Sequence, residues 1–154
     1  MSPMNAFQIL QGIETLGLRM EKHVRNTKKI VNFLNEHAAV QSIMHPELSS
    51  HPDHKIAQQL LPNGCGAVFS FEIKGGLKAG KKLIENLKVF SHLANVGDAK
   101  SLVIHPASTT HYRMSNSDLK AAGISEGTIR LSVGLEDVAD LMNDLEQALK
   151  KSQK

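Results

Sequence analysis

The chain has 154 residues, 41% hydrophobic and 21% charged side chains and a formal net charge of +3, which predicts one globular domain with its own core. Aromatic residues make up only 4% and the lysines fall in scattered pairs, so the composition argues against a nucleic-acid-binding surface. A single cysteine, no apolar run near the ~20 residues of a membrane span and no signal-peptide pattern argue against disulfides and membrane contact, and favour a cytoplasmic protein.

The N-terminal segment predicts a long helix. Ser2 and Pro3 favour a helix start, because serine caps free N–H groups and proline has no N–H to leave unpaired. Apolar residues then recur at helical spacing, which predicts a helix that ends around 36–38, with an interruption near Gly12 or Gly17. A helix of ~30 residues spans ~45 Å, more than a compact domain needs, so we expect it to link this domain to a second body.

Shorter elements fill the rest of the chain. Periodicity and turn residues predict strands at 40–44, 67–73, 89–94, 102–105 and 128–133. Helices are predicted at 55–61, 77–87, 117–122 and 138–149, and the tail KKSQK is predicted to fray. The predicted fold class is therefore α/β in the form of an α+β sandwich, a small and mainly antiparallel sheet with helices on one face.

The last predicted strand, TIRLS, carries a charged side chain in its middle. Ile129, Leu131 and Val133 alternate with polar neighbours, so helices that cover this apolar face leave Arg130 on the other face. A planar guanidinium can hold a carboxylate by two parallel hydrogen bonds. The residues alone leave open whether Arg130 binds a ligand or forms an ordinary ion pair with a neighbouring acid.

The loop HPELSSHPDH contains possible zinc ligands. They are His45, Glu47, His51 and His54. Structural zinc sites of this kind usually include cysteine, and none is present here. We therefore interpret the loop as a histidine-bearing surface segment.

Two further candidates for catalysis are weak. In HPASTTH, Ser108 lies between His105 and His111, so a serine–histidine pair is formally possible, yet no nucleophile elbow or orienting acid is evident. Cys65 has no base near it in the sequence, and we interpret it as a small buried side chain. All of these residues are assigned to structure.

Three separated stretches, in the same order, resemble one family. SPMNAFQILQGIETLGLRMEKH, ANVGDAKSLVIHPASTTH and TIRLSVGLED together resemble the C-terminal part of the Cys/Met-metabolism enzymes, which depend on pyridoxal phosphate (PLP) and have the fold-type I architecture. The second stretch is similar to the O-acetylhomoserine sulfhydrylases in particular. Cystathionine synthases and lyases usually carry a serine where this chain has Asn95.

The resemblance implies roles for individual residues. In the family pattern R-x-S-x-G-x-E, the arginine binds the α-carboxylate of the amino-acid substrate, and here that residue is Arg130. The segment around Asn95 lines the substrate site, and Ser101 is a third candidate for substrate binding. No catalytic, cofactor-binding or metal-binding residue is expected within the chain.

The resemblance also implies a domain. Residues 1–154 would be the C-terminal domain of a homo-oligomeric transferase, a tetramer in the family, whose large domain holds PLP and is absent here. We expect no cofactor and no activity in this chain alone. Two alternatives stay open: the same domain of a cystathionine synthase, lyase or other γ-eliminating relative, or a truncated protein that only binds or assembles with partners.

Overall fold

The computed structural model describes residues 1–154, and its elements follow the predicted order. The helices are α1 (Pro3–Glu14), α2 (Leu16–Glu36), α3 (His54–Leu60), α4 (Gly76–Asn86), α5 (Asn116–Ala121) and α6 (Val138–Ser152), with a 3₁₀ turn at Pro106–Ser108. The strands are β1 (Val40–Met44), β2 (Val68–Ile73), β3 (Ser91–His92), β4 (Leu102–Ile104) and β5 (Thr128–Ser132). No helix combines the length and the apolar composition that a bilayer crossing requires.

The five strands form one sheet in the order β1-β2-β5-β4-β3. Strand β5 is antiparallel to both of its neighbours, β1 is antiparallel to β2, and only β3 and β4 run parallel. The predicted α/β sandwich with a mainly antiparallel sheet is confirmed. Strand β5, the last in the chain, is the central strand of the sheet.

One face of the sheet forms the core. Ile129 and Leu131 of β5 are fully buried there together with Ile30 of α2, Leu83 of α4 and Leu145 of α6. Burial of each such side chain stabilises the fold by about 1.5–3 kcal/mol. The core helices therefore cover the face that alternation predicted, and the intervening residues of β5 point to the other face.

The predicted long N-terminal helix is two helices. The backbone leaves helical geometry at Thr15, with φ −104° and ψ 7°, between Gly12 and Gly17. The Arg19 side chain donates hydrogen bonds to the Gly12 carbonyl, at 2.8 Å, and to the Thr15 hydroxyl. The bond to Gly12 satisfies a carbonyl that the end of α1 leaves free, as basic side chains near helix ends often do.

The predicted fraying of the C-terminal tail is wrong. Helix α6 continues to Ser152, which is only 7% exposed. The Ser152 hydroxyl donates to the Leu149 carbonyl at 2.6 Å, and the Gln153 side chain donates to the Lys74 carbonyl at 3.0 Å. The burial of Ser152 and the contact with Lys74, 79 positions away in the sequence, thus hold the tail against the domain.

Helix α1 lies outside the core and presents apolar side chains to solvent. None of its residues is buried. Met4, Phe7, Leu10 and Ile13 are 56–64% exposed. Together they form an apolar surface, the α1 face, of the extent that marks interaction sites or aggregation risk.

We expect the isolated chain to self-associate through the α1 face at high concentration. Burial of a few hundred Å² of apolar surface contributes several kcal/mol at ~25 cal/mol per Å², before the cost of association. Sedimentation over a wide concentration range should show dimers or larger species. The double variant Phe7→Glu/Leu10→Glu should stay monomeric, whereas the charge-matched control Asn5→Glu/Gln8→Glu should associate normally. A wild-type chain that stays monomeric throughout contradicts this prediction.

Candidate functional site

Arg130 lies in the middle of the central strand, on the face that the core helices leave uncovered. Its register partners are Ser70 on β2 and Ile104 on β4. Its Nη2 donates one hydrogen bond, of 3.2 Å, to the backbone carbonyl of Asn95. The chain forms four ion pairs, and none involves Arg130. The ordinary ion pair is therefore not formed, and most of the five guanidinium N–H donors remain available to an anionic ligand.

Asn95 lies beside Arg130, but its side chain faces its own loop. The Asn95 Oδ1 accepts from the backbone N–H of Val96 at 2.9 Å, and Nδ2 donates to Asp98 Oδ2 at 3.3 Å. The backbone N–H of Lys100 donates to Asp98 Oδ1 at 3.0 Å. The pKa of the Asp98 carboxyl is lowered, first by this hydrogen bond from Lys100 and second by the bond from Asn95. Asn95 therefore meets Arg130 through its backbone carbonyl, while its side chain closes the loop.

Ser101 ends this loop and is fully buried. Its backbone N–H and its hydroxyl donate to the two carboxylate oxygens of Glu136, at 2.7 and 2.8 Å. Its hydroxyl also accepts from the backbone N–H of Gly134 at 2.8 Å. The protein itself thus uses every polar group of the side chain, so the structure gives no support to the predicted contact between Ser101 and a substrate.

Two polar residues that the sequence did not single out complete this region. His23 and Asn26 lie on α2 and are 3% and 1% exposed. His23 Nδ1 donates to the Val133 carbonyl at 2.6 Å, and Asn26 Nδ2 donates to the carbonyls of Gly134 and Glu136 at 3.0 and 2.9 Å. The only signal in the sequence is that polar residues interrupt the apolar face of a long amphipathic helix.

The histidine-bearing loop differs from its predicted role. His45 is 2% exposed and lies edge-on to Phe69, with ring centroids 5.7 Å apart. The backbone N–H of Glu47 donates to His45 Nδ1 at 3.3 Å. No group of three histidine, cysteine or acidic side chains lies close enough together to hold a metal ion. His45 is thus a core residue, and its burial lowers its pKa despite the opposing charge of Glu47.

The free energy of unfolding should fall as the pH falls below the ordinary histidine pKa of 6.5. The folded chain keeps His45 neutral in a pH range in which the unfolded chain binds a proton, so protonation favours unfolding there. Urea midpoints at pH 5 and pH 7.5 should differ less in His45→Asn than in the unmodified chain. The exposed His92, replaced by Asn, is the control and should leave the difference unchanged. An equal pH dependence in His45→Asn and in the unmodified chain contradicts the prediction.

The serine–histidine pair exists but is structural. His105 is 1% exposed. Its Nε2 donates to the Glu126 carbonyl at 2.7 Å, which leaves Nδ1 to accept from the Ser108 hydroxyl at 2.8 Å in the neutral ring. A Cβ at Gly80 would lie 2.6 Å from the His105 ring. The ring is therefore enclosed, and its contacts tie the 3₁₀ turn to the loop before β5.

Cys65 is half-buried and close to Glu47. The pKa of the thiol is raised, mainly by burial and to a smaller extent by the nearby negative charge of Glu47. A raised pKa reduces the thiolate fraction, which is the reactive form of cysteine. The structure therefore gives Cys65 no feature of a nucleophile.

A comparison of the whole sequence with known protein families gives the family of the chain. The sequence profile of the Cys/Met metabolism PLP-dependent enzymes matches residues 1–150. The chain belongs to this family. The resemblance inferred from the three stretches is confirmed, and membership in the Cys/Met metabolism family explains why they occur in this order.

Individual members of the family are similar along almost the entire chain. The O-acetyl-L-homoserine sulfhydrylase of Leptospira meyeri is 50% identical over 150 residues, which cover 97% of this chain and 34% of that protein. The L-methionine gamma-lyase of Fusobacterium nucleatum subsp. polymorphum is 46% identical over 151 residues, 98% of this chain and 38% of that protein. The chain thus spans about a third of the length of the curated relatives it matches.

A solved structure has the same fold. It is that of a putative O-acetylhomoserine (thiol)-lyase from Campylobacter jejuni, with a TM-score of 0.90 and 42% sequence identity. The match covers 97% of this chain and 36% of that one, and that structure carries a pyridoxyl-lysine monophosphate. The family identity and the fold of this chain therefore agree.

The residues of this chain do not form a binding site for PLP, the cofactor of the family. A lysine that reacts with a carbonyl group is activated by desolvation or by a neighbouring cation. None of the lysines in this chain is buried, so none is in a desolvated setting. The residues do fit a carboxylate, because Arg130 is partly exposed and has no anionic partner.

Proposed function

We propose that the chain is the C-terminal, substrate-carboxylate-binding domain of an O-acetylhomoserine sulfhydrylase. Its PLP-binding domain would lie in a part of the polypeptide outside residues 1–154. The observation that carries the proposal is the unpaired Arg130 at the centre of the sheet, on the face away from the core helices. The relatives that match nearly the whole chain are about three times as long as it, which supports a further domain in the whole protein.

Arg130 and Asn95 have different roles in the proposed carboxylate site. Arg130 binds the α-carboxylate through two parallel N–H groups, which fixes both the position and the orientation of the amino acid. The Asn95 carbonyl accepts a further N–H and holds the guanidinium plane. A β-strand gives the arginine a rigid base. PLP supplies the electron sink for chemistry at the amino acid when it is bound to the whole enzyme.

The whole enzyme would replace the acetate of O-acetyl-L-homoserine by sulfide or a thiol and so give homocysteine or methionine. The 50% identity to the Leptospira meyeri sulfhydrylase favours this reaction. Asn95 supports it as well, through the similarity of its stretch to that subgroup. The substrate has the α-carboxylate that the Arg130 site requires.

An L-methionine gamma-lyase is the second candidate, because three relatives with that name are 44–46% identical to this chain. A carboxylate site serves a lyase equally well, since its amino-acid substrate has the same α-carboxylate. The choice between the two reactions depends on groups that contact the γ-substituent and the acceptor, and the binding of an α-carboxylate by Arg130 does not distinguish between them.

The test begins with the native reading frame that encodes this chain. We expect a frame that extends upstream over a PLP-binding domain, and the encoded polypeptide should be assayed with PLP. Homocysteine formed from O-acetyl-L-homoserine and sulfide supports the sulfhydrylase. Methanethiol released from L-methionine alone supports the lyase. A native frame limited to residues 1–154 would overturn the proposal and favour a non-catalytic binding or assembly protein.

A further inference from the structure

The turn that follows β5, residues 133–136, is bound on two sides. On one side α2 holds it through His23 and Asn26. On the other side it meets residues 95–101, the Asn95 loop, through Glu136 and through the Leu135 N–H, which donates to the Ala99 carbonyl at 2.9 Å. The Asn95 loop therefore has a fixed anchor at its C-terminal end.

The contact between turn and loop leaves no spare space. A Cβ at Gly134 would lie 2.5 Å from the Ala99 carbonyl oxygen and 2.5 Å from the Lys100 carbonyl carbon. Real Cβ atoms do not approach backbone atoms so closely. The loop backbone consequently packs directly against Gly134, and this close approach requires glycine at position 134.

The other end of the loop reaches the candidate ligand site. The Asn95 carbonyl accepts from Arg130 Nη2, and the side chains of Asn95 and Asp98 connect the residues between the two ends. A displacement of the anchor at Ser101 therefore moves the carbonyl that orients the guanidinium. Glu136 is the side chain that joins the anchor to the turn, since both of its oxygens accept from Ser101.

We propose that Glu136 is a positioning residue for carboxylate binding by Arg130, an inference that rests on the proposed function. Glu136 does not touch the substrate. Its two hydrogen bonds to Ser101 fix the Asn95 loop, and the loop fixes the plane in which Arg130 presents its free N–H groups. Loss of Glu136 then weakens the binding of ligands that carry a carboxylate, and spares the binding of analogues that lack one.

The experiment compares variants of the whole enzyme. Glu136→Ala should raise KM for the amino-acid substrate about tenfold or more while kcat changes less than about threefold, since a tenfold change corresponds to a modest loss of binding free energy. Ser101→Ala, which keeps the backbone bond to Glu136, should act in the same direction with a smaller effect. Glu136→Gln should recover part of the loss, because its amide oxygen can still accept from the Ser101 N–H.

Two readouts separate positioning from a general loss of stability. The inhibition constant of the substrate's decarboxylated amine should stay within about twofold in Glu136→Ala. In an Arg130→Ala background, Glu136→Ala should add less than about a twofold further change, because its effect acts through Arg130. The control is Asp144→Asn, which alters a buried carboxylate elsewhere that also accepts backbone N–H groups but does not contact the Asn95 loop. It should leave KM unchanged.

Three results would overturn the inference. They are full additivity of Glu136→Ala with Arg130→Ala, an equal loss for the carboxylate-free amine, and an equal rise of KM in the Asp144→Asn control. If Arg130→Ala itself leaves kcat/KM unchanged, the proposed function fails. If Arg130→Ala is damaging but Glu136→Ala is additive with it, only the positioning role of Glu136 fails.

Discussion

Replacement of Arg130 by alanine is expected to lower kcat/KM for O-acetyl-L-homoserine about 30- to 1000-fold in the whole enzyme. This range corresponds to a loss of ~2–4 kcal/mol for a bidentate, charge-assisted contact in a desolvated site. Steady-state kinetics measures the change. PLP binding should be unchanged, because Arg130 is assigned to the substrate rather than to the cofactor. The absorbance of the bound cofactor measures this binding.

Arg130→Lys should restore only part of the lost activity. An ammonium group keeps the positive charge but cannot reproduce the planar pair of donors. The control is Arg113→Ala, since Arg113 is exposed and lies over the ring of Tyr112 rather than on the sheet. It should keep kcat/KM within about twofold of the unmodified enzyme. An Arg130→Ala enzyme with unchanged kcat/KM contradicts the assignment of the carboxylate site.

Replacement of Asp144 by alanine is expected to lower the free energy of unfolding by ~3–5 kcal/mol. Asp144 is 5% exposed, and its carboxylate accepts from the backbone N–H groups of Lys88, Val89 and Phe90 at 2.8–3.3 Å. The Phe90 N–H is buried and the other two are part-buried, and a buried N–H left without an acceptor costs ~1–3 kcal/mol. The total is a large part of the ~5–15 kcal/mol that stabilises a typical domain. Urea unfolding of the chain measures it.

Asp144→Asn should cost less than Asp144→Ala, because the amide keeps one oxygen as an acceptor. Asp140→Ala is the matched control, since Asp140 is an exposed residue in the first turn of the same helix. It should cost no more than ~1 kcal/mol through the helix dipole. Equal losses in Asp144→Ala and Asp140→Ala would show that the backbone contacts of Asp144 contribute little.

Local patterns predicted the position of Arg130, because a strand has a period of two and the apolar side of β5 is unambiguous. The same reasoning predicted the core residues Ile129 and Leu131. These features depend only on neighbours along the chain and on the burial of one face. The family resemblance then supplied a ligand for Arg130 that the pattern alone left open.

The roles of Ser101 and His45 could not be predicted in this way. Ser101 lies in a motif of small polar residues, and its burial depends on Glu136, which is 35 positions away in the sequence. His45 lies in a proline-bearing loop whose composition predicts an exposed segment. Only its packing against Phe69 shows that it is a core residue. Contacts between such distant residues form only in the folded chain, so no local period records them.

The break at Thr15 divides the chain into a part that is coupled to the ligand site and a part that is not. Helix α2 begins after the break, and its buried residues His23 and Asn26 hydrogen-bond to the turn that follows β5. Helix α1 buries nothing. A fluorophore attached to α1 can therefore report on contacts between the domain and other molecules without disturbing Arg130. The same label placed at His23 would break the hydrogen bond between α2 and the turn that follows β5.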